Sequence, residues 1–540
     1  NVPAATYGKL SVVITTEGHT ASFDLTDGIE LLAGELAYTT KAVSGWTALE
    51  PELSVTWETN PTFEPVEITN DMKGKCNIVI NAPAGIKAFT VSMLSDYLNN
   101  DIGLTELDLL NPQGLETIFD MLNFPYGEKI LNQKTVPFDL TNAVALLEGK
   151  SGQHIFTMNV TDNNNKTINQ DITFFVPEAI SATVSDIDLW KNTATITLNN
   201  APEGATVQYK RSTESEWKNT TKNPNGTFSI TPSWITEEND AGKTVYSLDN
   251  NCGVFAGATY DWQILNGEAV VASGTFETSA GDPIENGDMS QWCETKEMLP
   301  LFGSKKITVW YPGSSWSDST PGFWDSSNNA GNKTACTQDK TKNASCAWLQ
   351  ASGVSLVLVG ALASGSLFTG TFTYANMNGT ASFGQKYKYT ARPTALRLKY
   401  HATLGTVNYN KHNGPLEKDK DIMDQCSFTV CIVDWDTRHD VQSGTSAPKG
   451  IWDPITMGEL PVDKQNGIIG YGVKYSSENT PGTDLIPLEI PIKYYQQTNA
   501  APDGENKFTI IISVSTSRYG DYLNGCDKNK IYVDDFEWVY

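Results

Sequence analysis

Short runs of alternating apolar and polar residues recur along almost the whole chain, separated by Gly, Pro and Asn. A period of two marks a strand with one buried face. Residues 8–15 (GKLSVVIT) and 53–58 are the first such runs and predict a small β module over residues 1–62. Further runs lie at 76–80, 88–92, 154–161 and 172–176, with two stretches of helical period between them. In residues 114–122, Leu115, Ile118, Phe119 and Leu122 share a face, and the pattern stops at Asn123-Phe-Pro. Residues 140–147 repeat it after Asp139 and end at Gly149. Residues 63–179 therefore predict an immunoglobulin-like β-sandwich with short helices.

Pro177-Glu-Ala has linker composition, and strand rhythm resumes with ATVSDIDLW, TATITL, ATVQYKR, TVYSL, ATYDWQIL and ASGTFET. About seven short strands in this stretch, with Tyr209, Trp217, Tyr260 and Trp262 as core aromatics, predict a fibronectin III-like sandwich over residues 180–281. A second linker, AGDP at 280–283, introduces the largest unit, residues 282–540, whose extra length belongs in loops. The fold class expected is all-β and multidomain.

The closing run, residues 531–540 (IYVDDFEWVY), is a strand with acidic residues on both faces. Alternation puts Tyr532, Asp534, Phe536, Trp538 and Tyr540 on one side, and Ile531, Val533, Asp535, Glu537 and Val539 on the other. Whichever side turns inward buries a carboxylate, which must be hydrogen-bonded, paired or bound to a cation. Two readings stay open. The inward Asp accepts backbone N–H groups, or Asp534 and Asp535 join Glu285 and Asp288, from the turn that opens the unit, in an oxygen cage for a structural Ca2+. No organic cofactor is expected.

Composition narrows the setting. The 540 residues exceed one compact core, so about three or four domains are expected. The net charge of −25 is spread along the chain, which argues against nucleic acid as a partner. The eight cysteines show no CxxC pair and no metal-ligand spacing; most are expected as free buried thiols. No apolar run approaches transmembrane length, and the start at Asn1 is compatible with a leader, carrying a lipid anchor, that was removed.

Trp310, Tyr311, Trp316, Phe323 and Trp324 crowd into fifteen residues among Gly, Ser, Pro and Asn. Indole faces stack on pyranose C–H faces while Asp and Asn hydrogen-bond hydroxyls, so Trp310, Tyr311, Trp316, Trp324 and Asp325 are the candidate glycan-binding residues. The alternative is that some of these rings plug the end of the sandwich. Catalytic signals are poor: the five histidines form no HExxH, there is no GxSxG or phosphate loop, and the candidate carboxylates Asp325, Asp434 and Asp436 lack independent support.

The runs AWLQAS (347–352), GALASGSLFTGTF (360–372), FG (383–384), RP (392–393), SRYGDY (517–522) and VDDFEWVY (533–540), with Asn286-Gly-Asp and Trp324-Asp, resemble the "putative carbohydrate metabolism domain" of gut Bacteroidetes surface proteins. Residues 63–178 resemble the domain of unknown function that often precedes it. The resemblance implies a carbohydrate-binding-module-like jelly roll carried on immunoglobulin-like domains, in secreted or lipid-anchored proteins described as cell-adhesion proteins or glycoside hydrolases. It carries over no catalytic residues, strengthens the expectation of Ca2+, and favours polysaccharide or host glycan as the partner. The leading expectation is a non-catalytic glycan-binding or adhesion protein of the outer-membrane surface. The alternatives are a glycoside hydrolase and a structural subunit of a surface appendage.

Overall fold

The computed structural model describes residues 5–7, 10–16, 19–25, 29–31, 43–48, 52–69, 75–298, 306–317, 321–330, 335–356, 359–497 and 508–540. Gly8 and Lys9 of the first predicted run lie outside them. The described chain is nearly all β and divides into two compact units, Asn1–Ala179 and Ile180–Tyr540. Among the described residues no helix is long and apolar enough to cross a membrane.

In the first unit, a five-stranded sheet runs Glu106–Asp108, Ile86–Leu94, Gly152–Asp162, Thr167–Val176, Val66–Glu67, and a three-stranded sheet runs Thr135–Asp139, Asn77–Asn81, Ser54–Trp57. Their inner faces bury Ile78, Ile80, Phe89, Phe138, Met158 and Phe174. Residue 62 is not a division of the fold: Val55 pairs with Ile80, and the Trp57 ring packs 5.9 Å from Phe174. Both helical patterns appear, as Glu116–Leu122 and Thr141–Ala145, and the first ends where Asn123 takes a left-handed conformation with φ 60°.

The second unit begins with two four-stranded sheets over residues 181–277, closed on Ile196, Val207, Tyr209, Phe228, Ile230 and Tyr260. From this module the hairpin Trp234–Glu238 and Thr244–Leu248 reaches out and joins the large sheet of the C-terminal sandwich, Tyr246 pairing with Tyr494. Arg392 secures the junction. Its Nε donates to the Trp190 carbonyl at 2.6 Å, and its guanidinium lies 4.8, 5.2 and 5.1 Å from the ring centroids of Trp190, Trp234 and Tyr494.

The C-terminal sandwich has a five-stranded sheet, in the order Cys336–Asp339, Cys346–Gln350, Lys530–Val539, Ala395–Thr403, Ile486–Pro491. The facing sheet runs from the hairpin through Lys493–Tyr494, Ile468–Ser476, Cys426–Val433, Thr509–Ser515, Ser366–Ala375 and Asn378–Phe383 to His439–Gly444. Between them lie Leu396, Leu398, Phe428, Val430, Ile512, Val514, Ile531, Val533, Phe536 and Trp538.

The final strand does not alternate strictly. Arg397 pairs with Glu537 but Lys399 with Asp534, so one extra residue is accommodated there, and Asp535 adopts φ 53°. This bulge shifts the phase by one. Ile531 and Val533 face the core before it, Phe536 and Trp538 after it, and the two-face assignment from simple alternation is corrected accordingly.

Candidate functional site

The predicted calcium corner is brought together in part. Phe536 N–H donates to the Gly287 carbonyl at 2.8 Å, so the turn holding Glu285 and Asp288 does meet the bulge. A Cβ at Gly287 would sit 2.3 Å from the Phe536 carbonyl oxygen, so the close approach requires glycine there. Asp534 is buried, and its carboxylate accepts from Asn343 Nδ2 at 2.6 Å and from the Asp535 N–H at 2.9 Å. Burial, reinforced by the nearby Asp535 and Asp288 charges, pushes its pKa up to about 6. Asp535 turns outward onto Lys399 Nζ at 2.7 Å, the exposed Asp288 accepts from Ser290 Oγ at 2.9 Å, and Glu285 is exposed. Among the described residues no three His, Cys, Asp or Glu side chains converge as a metal site. Asp534, Asp535 and Asp288 thus each have a hydrogen-bond or ion-pair partner, and Glu285 is exposed.

The aromatic cluster is also redistributed. Trp324 is fully buried, donates its indole N–H to the Glu285 carbonyl at 2.8 Å and packs 5.1 Å from Phe536. Tyr311 is fully buried with Trp316 stacked on it at 3.9 Å, and Trp310 is half-buried. Asp325 is buried and accepts the Phe372 N–H at 2.8 Å. The rings of Tyr311 and Trp324 fill the end of the core, because large apolar surfaces gain most from leaving water. None of Trp310, Tyr311, Trp316, Trp324 and Asp325 lines the large cavity of the sandwich.

That cavity, about 780 Å³, lies over the face of the large sheet turned away from the core. Its floor follows from register. Ser427 pairs with Ser515 and Thr429 with Ser513, while the intervening Phe428, Val430, Ile512 and Val514 face the core. Period-two alternation thus lays rows of hydroxyls on the groove side. Farther along the same face, Cys431, Tyr471 and Ile511 are covered by Met457 and Leu460, and this second small core seats the loop between the strands His439–Gly444 and Ile468–Ser476. The loop raises Trp452 as a groove wall, braced 5.4 Å from Trp435 and 6.4 Å from Phe383.

Phe372 and Tyr374 contribute from the strand Ser366–Ala375, and the opposite side is made by Tyr475 and by the turn 517–522 carrying Arg518, Tyr519, Asp521 and Tyr522. Asp424 holds that turn. Its Oδ2 accepts from Ser517 Oγ at 2.7 Å, Cys526 N–H at 2.8 Å and Asn529 Nδ2 at 2.6 Å. Burial raises the Asp424 pKa, and these hydrogen bonds oppose the rise. The Arg518 guanidinium lies 3.6 Å from the Tyr475 centroid and 5.0 Å from that of Tyr519. Burial pushes the Tyr475 hydroxyl up to about 12, so it stays a neutral donor. Asp521 stands on this turn with its side chain exposed.

These lining residues escaped the sequence reading. Their signal is the alternation in Ser427-Phe-Thr-Val and Ile512-Ser-Val-Ser together with the aromatic turn SRYGDY at 517–522. Aromatic walls, a hydroxyl floor and a few carboxylates can stack a sugar ring and bind its hydroxyls.

Comparison with known proteins bears on this geometry. Residues 276–539 match the family described as "putative carbohydrate metabolism domain". No curated protein matches the chain. Among solved structures, one described as a putative glycoside hydrolase from Bacteroides vulgatus ATCC 8482 is 15% identical, with 47% of this chain and 96% of that chain covered and a TM-score of 0.30. Another so described, from Bacteroides thetaiotaomicron VPI-5482, is 14% identical, with 63% and 98% covered and a TM-score of 0.30. A structure from work on carbohydrate-binding modules of the β-sandwich superfamily is 9% identical, with 67% and 98% covered and a TM-score of 0.13. The match to the "putative carbohydrate metabolism domain" family falls on the C-terminal sandwich of this chain.

Proposed function

We propose that this is a non-catalytic glycan-binding or adhesion protein of the cell surface, which holds a polysaccharide or host glycan in the groove over the large sheet of its C-terminal sandwich. The observation that carries the reading is the pairing of aromatic walls (Phe372, Tyr374, Trp452, Tyr475, Tyr519) with the hydroxyl floor of Ser427, Thr429, Ser513 and Ser515. Sugar rings need both, an apolar face to stack on and neutral groups that exchange hydrogen bonds with hydroxyls. The acidic, modular chain suits an extracellular setting.

Affinity electrophoresis of wild type and Trp452→Ala against plant, microbial and mucin glycans tests the reading. Retardation by at least one glycan that Trp452→Ala abolishes, with unchanged circular dichroism, supports it; no retardation by any glycan overturns it.

The hydrolase alternative starts from Asp521, an exposed carboxylate in the groove. It also needs a second carboxylate across the sugar. The other groove carboxylates are engaged in their own loop, Asp453 with the Ile455 and Thr456 N–H groups and Glu459 with that of Gly450. Release of reducing ends from a bound glycan, lost in Asp521→Asn, would favour hydrolysis over binding alone.

A further inference from the structure

We infer that the groove takes an uncharged polysaccharide and turns anionic ones away, and that Asp521 determines this specificity by accepting hydrogen bonds from the hydroxyls of the bound sugar. The inference rests on the glycan reading of the groove and adds the ligand's class.

The charges along the groove are unequal. Asp453, Glu459 and Asp521 line it, and Arg518 is the one cationic side chain among the described lining residues. Arg518 is engaged in part. Its guanidinium lies against the rings of Tyr475 and Tyr519, and its Nη1 donates to Gln425 Oε1 at 3.2 Å. It braces the aromatic wall, and its one positive charge stands against three carboxylates along the groove. A uronate or sulfate entering the groove would meet more carboxylates than cations, in a chain of net charge −25. An uncharged sugar pays no such penalty, and its hydroxyls are the donors that carboxylates accept.

Asp521 differs from the other two carboxylates. Asp453 and Glu459 are tied to backbone amides of their own loop, whereas the Asp521 carboxylate has no hydrogen bond or ion pair among the described residues. It is exposed on the short turn Gly520–Tyr522, between Tyr519 and Tyr522, which both line the groove. The turn is fixed on both sides: Ser443 Oγ donates to the Asp521 carbonyl oxygen, and a Cβ at Gly520 would fall 2.3 Å from Ser364 Oγ. A carboxylate on a fixed turn that also carries the groove residues Tyr519 and Tyr522 combines an acceptor with a stacking surface.

Affinity electrophoresis and calorimetry of the full chain test this with two sets of soluble polysaccharides. The uncharged set is laminarin, xyloglucan, galactomannan and arabinoxylan; the anionic set is polygalacturonate, alginate and heparin. We expect binding within the uncharged set and none in the anionic set. Asp521→Asn should weaken binding about tenfold, the loss of one charge-assisted hydrogen bond, at an unchanged melting temperature. Failure of both sets to bind overturns the glycan reading itself. Anionic ligands bound as tightly as uncharged ones, and lost in Trp452→Ala, leave the glycan reading standing and overturn the ligand class. Wild-type affinity in Asp521→Asn for an uncharged ligand overturns the role of Asp521.

Discussion

Replacing Asp534 by Asn should stabilise the C-terminal sandwich, and the gain should grow with pH. Asp534 is buried and its pKa is raised from 3.8 to about 6, chiefly by burial. Below about pH 4 the folded and unfolded carboxyls are both protonated, and the site costs nothing. Between about pH 4 and 6 the folded state binds the extra proton, so stability falls as pH rises, and above about pH 7 the penalty is complete. Two pKa units correspond to about 3 kcal/mol. The exposed Asp288 supplies part of the shift, and solvent screens it, so about half of that is a fair lower figure. At about 2 °C per kcal/mol for a unit of this size, the melting temperature of Asp534→Asn should exceed that of wild type by roughly 3–6 °C at pH 7. Any hydrogen bond lost to Asn343 is an offset independent of pH. Thermal unfolding of both proteins at intervals from pH 4 to pH 7.5 gives the difference directly. A difference that stays flat, or shrinks as pH rises, refutes the argument that this carboxylate is held in the fold at a cost.

Three further outcomes follow from the packing. Trp324→Ala removes a fully buried ring from between the sheets and should cost about 3–5 kcal/mol in denaturant unfolding, where a ligand contact would change binding alone. The melting temperature should be the same in chelator and in millimolar Ca2+, because Asp534 is satisfied by Asn343 and the Asp535 N–H; a rise with Ca2+ would restore the cage reading. Thiol titration of the native protein should modify Cys252 and Cys293, the half-buried pair, well before Cys76, Cys336, Cys346, Cys426, Cys431 and Cys526, which are buried. Early modification of Cys336 or Cys431, fully buried thiols, would mean that the sandwich opens.

What the sequence made legible was local. The helix at Glu116–Leu122 and the closing strand Lys530–Val539 stand where periodicity put them, because three to ten neighbouring residues decide such patterns. The bulge in that strand was legible too, in retrospect. Ile531 and Val533 are in one phase, Phe536 and Trp538 in the other, and the slip falls on the two adjacent Asp residues that gave the strand its two acidic faces. Trp324 was misplaced for a different reason: its neighbours are loop residues, yet its ring is drawn in by Phe536, more than two hundred residues later. The groove lay furthest from view. The strands that make its floor look locally like any half-exposed strand, polar on alternate positions. Only the pairing of Ser427 with Ser515 sets the hydroxyls side by side, and only the covering of Cys431 and Ile511 by Met457 and Leu460 turns part of that face into a walled cleft. Both events join segments distant in the chain, so no window of sequence contains them. The long loops of this unit are therefore the walls of the groove, and a search for ligand contacts in such a sandwich should begin from sheet register before it turns to tryptophan density.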